Sequence, residues 1–415
     1  MNNKKVELAF IFFYFFILYG SLLIGLYFNE DNLGGAQNDS LHHFRISEKF
    51  NNEFFETFNN FGNSEQTRNS PVFWIFLSIL NKFFSYNSIQ MINTLVIFPI
   101  TFFFYKSLKI KFNQINSIYL IILSSFLFLS PSLRSLIIWP YSLSWGLLFF
   151  IISIYFFLKY ETNLNFQNSL KILSFVIISS YIYPSFSVFY LFYIFKIYQQ
   201  NPIKIITFIL FLSFLMALPC IYYIITKDAL SAFQASQGMK ISLEKSLNLS
   251  NKILIISTIC LYCLLPIISF KDNIRNVFNI KNQEKFLISV FIFINFYFFS
   301  FPHSVWGGGF FHKASNILFS NNSLFFISSF FSIFFLYYIS KGKINNYFLL
   351  LLLILYNPQF TIYIKYFDPL IYIVFLTLFD FDLNKNFFQK KYKFFQFFSI
   401  IIFYYIVVYL KKIIF

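Results

Sequence analysis

The sequence predicts an all-α, polytopic integral membrane bundle, and three observations carry that prediction. Of 415 residues, 58% are hydrophobic and only 12% charged, where soluble domains carry about 25% charged residues. Mean hydropathy is +0.65. Apolar runs of roughly 17–25 residues recur from end to end, each long enough to cross a hydrocarbon core of about 30 Å. A transmembrane barrel would show alternating segments of about ten residues instead, so helices remain. The 69 Phe accompany abundant Ile, Asn, Lys and Tyr, a composition that reads as codon bias more than as chemistry. The net charge of +16 sits in short lysine clusters between apolar runs. That is the mark of cytoplasmic loops, and it argues against a nucleic-acid partner.

Taken in order, Lys4 and Lys5 place the N-terminus inside. The run that follows lacks a small-residue cleavage site and predicts a retained helix over 8–28. It leads into a first outer loop, 29–71, where Glu30, Asp31, Asp39, Glu48, Glu53, Glu56 and Glu65 face only Arg45, Lys49 and Arg68. Residues 72–84 are apolar but short. The basic stretch YKSLKIK, 105–111, stays inside only if 72–84 makes no net crossing. Crossings follow over 88–105 and 114–130, and a helix returns from the outer turn 130–140 to Lys159. The run 172–196 has Pro184 at its middle and lysines near both ends, so it predicts two short helices meeting at Tyr183-Pro184. A helix over 205–226 leads to an outer loop, 227–252. Further crossings alternate between inner loops rich in lysine and the outer loops 301–322 and 356–369. The sum is about thirteen crossings, in a single transmembrane domain over 1–415.

This threading places His42, His43, His303 and His312 on the outer face, with the first-loop acids, Arg134, Lys313, Lys365 and Asp368. Candidate chemistry therefore lies outside. Asp39 opens DSLHHFRISEKF and fits a helix N-cap. Phe44, Ile46 and Phe50 would seat that helix on the bilayer surface. Asp39 is either a cap or a catalytic carboxylate held above the membrane, and Asp31 and Glu30 are its rivals. An acid pair at a helix C-terminus opposes the dipole, so Glu30 and Asp31 are not expected to serve helix stability. Gly34 and Gly35 permit a turn that brings Asp31 and Asp39 together over a ligand. Arg68 is a surface charge or an anion contact. WGGGFFHK, 306–313, lacks the strand and the G-K-[ST] of a nucleotide loop, but its glycines suit a mobile loop or an oxyanion contact. Lys365 in YIKYFDP is a snorkelling lysine or a lipid-phosphate ligand. Cys220, Cys260 and Cys263 lie in apolar runs and read as small apolar residues; no H-E-x-x-H is present, and a zinc site could draw only on His42, His43 and an acid.

The layout resembles the C-type (GT-C) membrane glycosyltransferases. Asp39 stands where that family carries its first-loop acid, NSPVFW resembles its Pro-led segment, and LSPSLRSLIIWPYSLSWGLLFF resembles the outer turn before the fourth helix. YIKYFDP resembles a late outer motif in which a basic residue and a Tyr meet the lipid phosphate. The pattern departs in Ser40, which follows Asp39 in place of Glu, and in Ser70, which precedes the proline. The resemblance implies transfer of a sugar from a polyprenyl-phosphate donor to a lipid-linked or glycan acceptor, with inversion. The site would face the periplasm from a bacterial inner membrane, with amphipathic helices in the first outer loop. Asp39 would be the general base. Arg134, Lys313 and Lys365 would neutralise the phosphate, and His42, His43, Arg68, Trp306, His312 and Tyr366 would line the donor. Trp139 and Tyr141 would stack on sugar. The resemblance leaves open whether a divalent cation takes part. A polysaccharide polymerase or ligase is one rival, expected to rely on basic residues in a large central loop. A flippase or transporter is another, expected to carry ionisable groups at mid-membrane.

Overall fold

The computed structural model describes residues 2–32, 35–60, 70–226, 235–236, 239–240, 248–268, 280–303, 307–380, 395–396 and 398–406. Among them nearly all regular structure is helical. One pairing of Ala235–Ser236 with Met239–Lys240 is the exception.

The chain opens with α1 (Asn2–Tyr27), then α2 (Ala36–Asn52) and α3 (Phe54–Asn60). Next come α4 (Val72–Asn81), α5 (Tyr86–Thr94) and α6 (Ile97–Lys111). α7 (Ser117–Ser124) runs through a 3-10 turn into α8 (Pro131–Ile138), bent from it by 67°. Ser130 caps α8 by accepting from Leu133 N, and Pro131 takes the first helical position, where its missing N–H costs nothing. α9 (Ser142–Thr162) packs along α10 (Phe166–Ile182) and α6. α10 ends just before Pro184, where the sequence predicts a break, and α11 (Val188–Gln200) follows after one 3-10 turn. α12 (Ile203–Thr226), α13 (Leu249–Ile268), α14 (Asn282–Tyr297), α15 (Gly309–Phe319), α16 (Ser323–Ser340), α17 (Ile344–Leu355) and α18 (Leu370–Thr377) complete the described helices. Residues 398–406 are also helical.

Several helices are long and apolar enough to mark a membrane protein. By length and composition four spans qualify: Tyr86–Lys111, Ser142–Thr162, Ile203–Tyr222 and Ser323–Ser340. The bent pair of α7 and α8 makes five. About thirteen crossings were expected from apolar runs of sufficient length, and the described residues do not supply that many. The reason is local. A 3-10 turn at Ser125–Leu129 interrupts the run expected over 114–130, and α8 with 8 residues, α11 with 13 and α17 with 12 are each too short to cross alone. α4 has 10 residues, about 15 Å at helical rise, too short to cross alone. Cys260 and Cys263 are buried and unpaired in α13, and Cys220 is half-buried, as apolar residues would be.

Candidate functional site

A chain of contacts gathers the loops at one end of the bundle. Lys365 Nζ reaches Asp39 Oδ2 at 3.1 Å across 326 positions of sequence. Gly308 N donates to Ile362 O at 3.0 Å, tying the glycine loop to the loop that carries Lys365. Gly307 needs its positive φ of 106° there, since a Cβ would lie 2.8 Å from Ile362 O. Ser300 N donates to Asn251 Oδ1 at 2.9 Å, adding the start of α13.

The first acid of that end is not a surface group. Glu30 turns back under α1, its N–H on Gly25 O at 2.8 Å, and is 1% exposed. Arg134 of α8 meets it with two bonds, Nε to Oε1 at 2.7 Å and Nη2 to Oε2 at 2.6 Å. The other guanidinium donors go to Ser21 O, Ser21 Oγ and Phe128 O, and the Tyr405 ring covers the group. Trp139 Nε1 donates to Glu30 O, and Asn32 Nδ2 to Glu30 Oε1. This corrects four expectations. Glu30 is no catalytic candidate, and Arg134 has no donor left for a phosphate. Trp139 is committed to backbone and does not stack on a sugar. Glu30 does serve stability, because a partner 104 residues away outweighs the helix dipole.

Asp31 and Asp39 have different posts. Asp31 Oδ2 accepts from Gln37 N at 3.3 Å, so it supplies an acceptor to the first turn of α2. Gly35, at φ 89°, is the residue before that helix. Asp39 is therefore not the N-cap expected. It lies inside the first turn, its N–H bonded to Gly35 O, and its carboxylate benefits from the dipole.

One face of α2 is buried through Ala36, Ser40, His43, Ile46, Ser47 and Phe50, and it packs on α4. Ile46 and Phe50 close on Trp74, and Phe44 on the Tyr86 ring at 4.8 Å. The apolar face is thus covered by protein, where a bilayer surface was expected. His43 Nδ1 accepts from Trp74 Nε1 at 2.9 Å, with the rings of Phe73 and Tyr141 against it at 5.6 and 5.0 Å. His42, its ring 6.3 Å from that of His43, is exposed. The two histidines do not act as a pair on one ligand.

Lys365 is the centre of the site. Its ammonium lies 5.8 Å from the Tyr141 ring, 5.6 Å from Tyr363 and 5.8 Å from Tyr366. Cation–π attraction is stronger in such desolvated surroundings. Burial opposes its charge, yet Tyr366 and Asp39 outweigh burial and hold its pKa above the ordinary lysine value. The Lys365 side chain is 11% exposed and that of Asp39 42%, so one partner is shielded and the other open to solvent. Tyr356 lies fully buried below. Its hydroxyl has no hydrogen-bond partner among the described residues. Sequence reading missed Tyr183 and Tyr356, which arrive from separate helix ends with no local motif. Asp368 is buried at the N-terminus of α8, accepting from Ser130 Oγ at 2.9 Å and Ser132 N at 3.3 Å. Burial raises its pKa.

An apolar cavity of about 460 Å³ lies between α4, α9 and α10. Val72, Phe73 and Phe76 of α4 line one wall, and Trp145, Phe149, Ile178 and Pro219 the others. Phe73 links it to α2, since its ring also packs on His43.

His312 and Lys313 stand apart from Lys365 in the described contacts. His312 is buried among Phe299, Phe301 and Phe325, stacked on His303 at 4.9 Å, and Lys313 is exposed. Burial, then His303 and Lys313, push the His312 pKa down to about 4. The unfolded imidazole titrates near 6.5. Between these values the unfolded chain binds the extra proton, so stability is full above pH 6.5 and falls as pH drops toward 4. Melting temperature measured from pH 7.5 to 4.5 should decline less in His312→Phe than in the unaltered chain; parallel curves would refute this assignment. Arg68 and Trp306 lie outside the described residues. Among the described residues no group of three or more His, Cys, Asp or Glu is placed to hold a metal ion. Comparison with protein-family models, curated proteins and solved structures returns no match.

Proposed function

We propose that the chain is an inverting membrane glycosyltransferase of the GT-C kind, taking its sugar from a polyprenyl-phosphate donor. The observation that carries the reading is the Asp39–Lys365 pair, shielded on the lysine side by three tyrosine rings and open on the acid side. An apolar cavity lies beside Phe73, whose ring packs on His43 of the helix that carries Asp39. A carboxylate, a fixed cation and an apolar slot are what a lipid-phosphate sugar needs: a base, a phosphate contact and room for the tail. In this reading the site faces the periplasm from a bacterial inner membrane. The chain makes up to about thirteen passes, with short helices paired end to end or crossing locally thinned bilayer.

The 3.1 Å pairing bears on the mechanism. In an inverting displacement the base and the departing oxygen lie on opposite faces of the sugar, typically about 6–9 Å apart for glycosidases. Asp39 and Lys365 cannot flank a sugar while touching. The donor phosphate therefore draws Lys365 to itself and releases Asp39. Asp39 then takes the proton of the acceptor hydroxyl. That oxygen bonds to the anomeric carbon, the carbon–oxygen bond to phosphate breaks, and polyprenyl phosphate leaves with its charge offset by Lys365.

The test is sugar transfer from polyprenyl-phosphate donors in membranes. Asp39→Asn should lower turnover by about 10²–10⁴-fold, while Asp31→Asn changes it little. Full activity in Asp39→Asn would end the carboxylate mechanism.

A further inference from the structure

Lys252 is a buried cation that the Lys365 centre does not use. It lies in the first turn of α13, 3% exposed. Among the described residues no hydrogen bond or ion pair reaches its ammonium, whereas Lys196, Lys341 and Lys365 each meet a carboxylate. An uncompensated buried charge is strongly destabilising. The positive end of the helix dipole adds to the cost at this position. A bound anion would offset the first cost by direct attraction to the ammonium and would itself be favoured by the dipole.

The same turn carries further donors. Asn251 is equally buried; its Oδ1 accepts from Ser300 N, and its Nδ2 donates to nothing among the described residues. Asn248 Oδ1 accepts from Asn251 N at 3.1 Å, and Asn248 O from Lys252 N at 3.3 Å. The N–H groups of Leu249 and Ser250 have no intrahelical acceptor. The turn therefore presents an ammonium, an amide NH₂ and helix-terminal N–H groups, all donors. A helix N-terminus with added donors favours a polyoxygen anion.

We propose that the first turn of α13 is an oxyanion site, separate from Lys365, where Lys252 and Asn251 Nδ2 bind a phosphate group. Lys365 meets Asp39 and the rings of Tyr141, Tyr363 and Tyr366, whereas the α13 turn is held by Asn248 and Ser300. The site stands whether or not the chain transfers sugar. Its phosphate belongs to a soluble molecule or to a lipid headgroup.

Thermal melting of the full chain separates these sources. In detergent, inorganic pyrophosphate is compared with potassium chloride at equal ionic strength. In nanodiscs, phosphatidylglycerol is compared with phosphatidylcholine. Pyrophosphate at about ten times its dissociation constant should raise the melting temperature by about 2 °C. Lys252→Met should abolish that rise and Lys252→Arg keep it. In chloride alone Lys252→Met should melt higher than the unaltered chain, because the unpaired charge is gone. A Lys252-dependent rise only with phosphatidylglycerol assigns the site to a lipid headgroup. If neither arm shows a Lys252-dependent rise, or if Lys252→Met melts lower in chloride alone, the oxyanion site is wrong.

Discussion

Arg134→Met should destabilise the protein by about 3–5 kcal/mol, the usual cost of removing one partner from a buried ion pair. Glu30 would be left 1% exposed, with its carboxylate stripped of both guanidinium bonds. Only Asn32 Nδ2 would still reach it. Glu30→Gln should cost a comparable amount, because it strands the guanidinium instead. The double change Glu30→Leu with Arg134→Met should recover much of the loss, since apolar groups of similar volume often replace buried pairs without penalty. Thermal melting in detergent measures all three. If the double variant melts lower than either single one, the pair contributes more than mutual neutralisation.

Gly25→Ala probes the same joint from the backbone. An added Cβ would lie 2.1 Å from Glu30 Oε2 and 2.9 Å from Arg134 Nη2. Side-chain ends often yield, but these two are fixed by each other and by Ser21 and Phe128. Melting should fall in Gly25→Ala and stay unchanged in Gly20→Ala, where a Cβ meets nothing within 4 Å.

The all-helical membrane class was legible because hydropathy is additive along the chain and needs no partner. The break at Pro184 was legible for a local reason, the ring and the missing N–H. The number of full-length spans was not. Whether an apolar run forms one helix or two depends on turns such as Ser125–Leu129, which carry no strong breaker. The site divided along the same line. Asp39 and Lys365 stood out as charges in apolar surroundings, and they do meet. Glu30 and Arg134 stood out equally and were read as chemistry, because their pairing depends on a contact across 104 positions that no local pattern encodes. Lys252 went unremarked at the edge of a polar loop. Its interest lies in burial, which sequence does not show.

Lys365→Met should lower transfer strongly, and its pattern with Asp39→Asn tests the exchange of partners. Removing the cation deprives the leaving phosphate of charge compensation, which costs about 10²–10³-fold in turnover for a single stabilising group. Lys365→Arg keeps charge but replaces a compact ammonium, at 5.6–5.8 Å from three rings, with a planar fork that does not fit the same cage. It should restore activity only in part. Folding should change little, because Asp39 is half open to water and does not become a buried orphan. If donor phosphate draws Lys365 away from Asp39, the two residues act at different bonds. Their losses in turnover should then nearly add in Asp39→Asn with Lys365→Met. If instead the lysine only positions Asp39, the double variant should be no worse than Asp39→Asn alone. Donor KM adds a second readout: a phosphate contact raises it in Lys365→Met, whereas a purely positioning lysine leaves it unchanged.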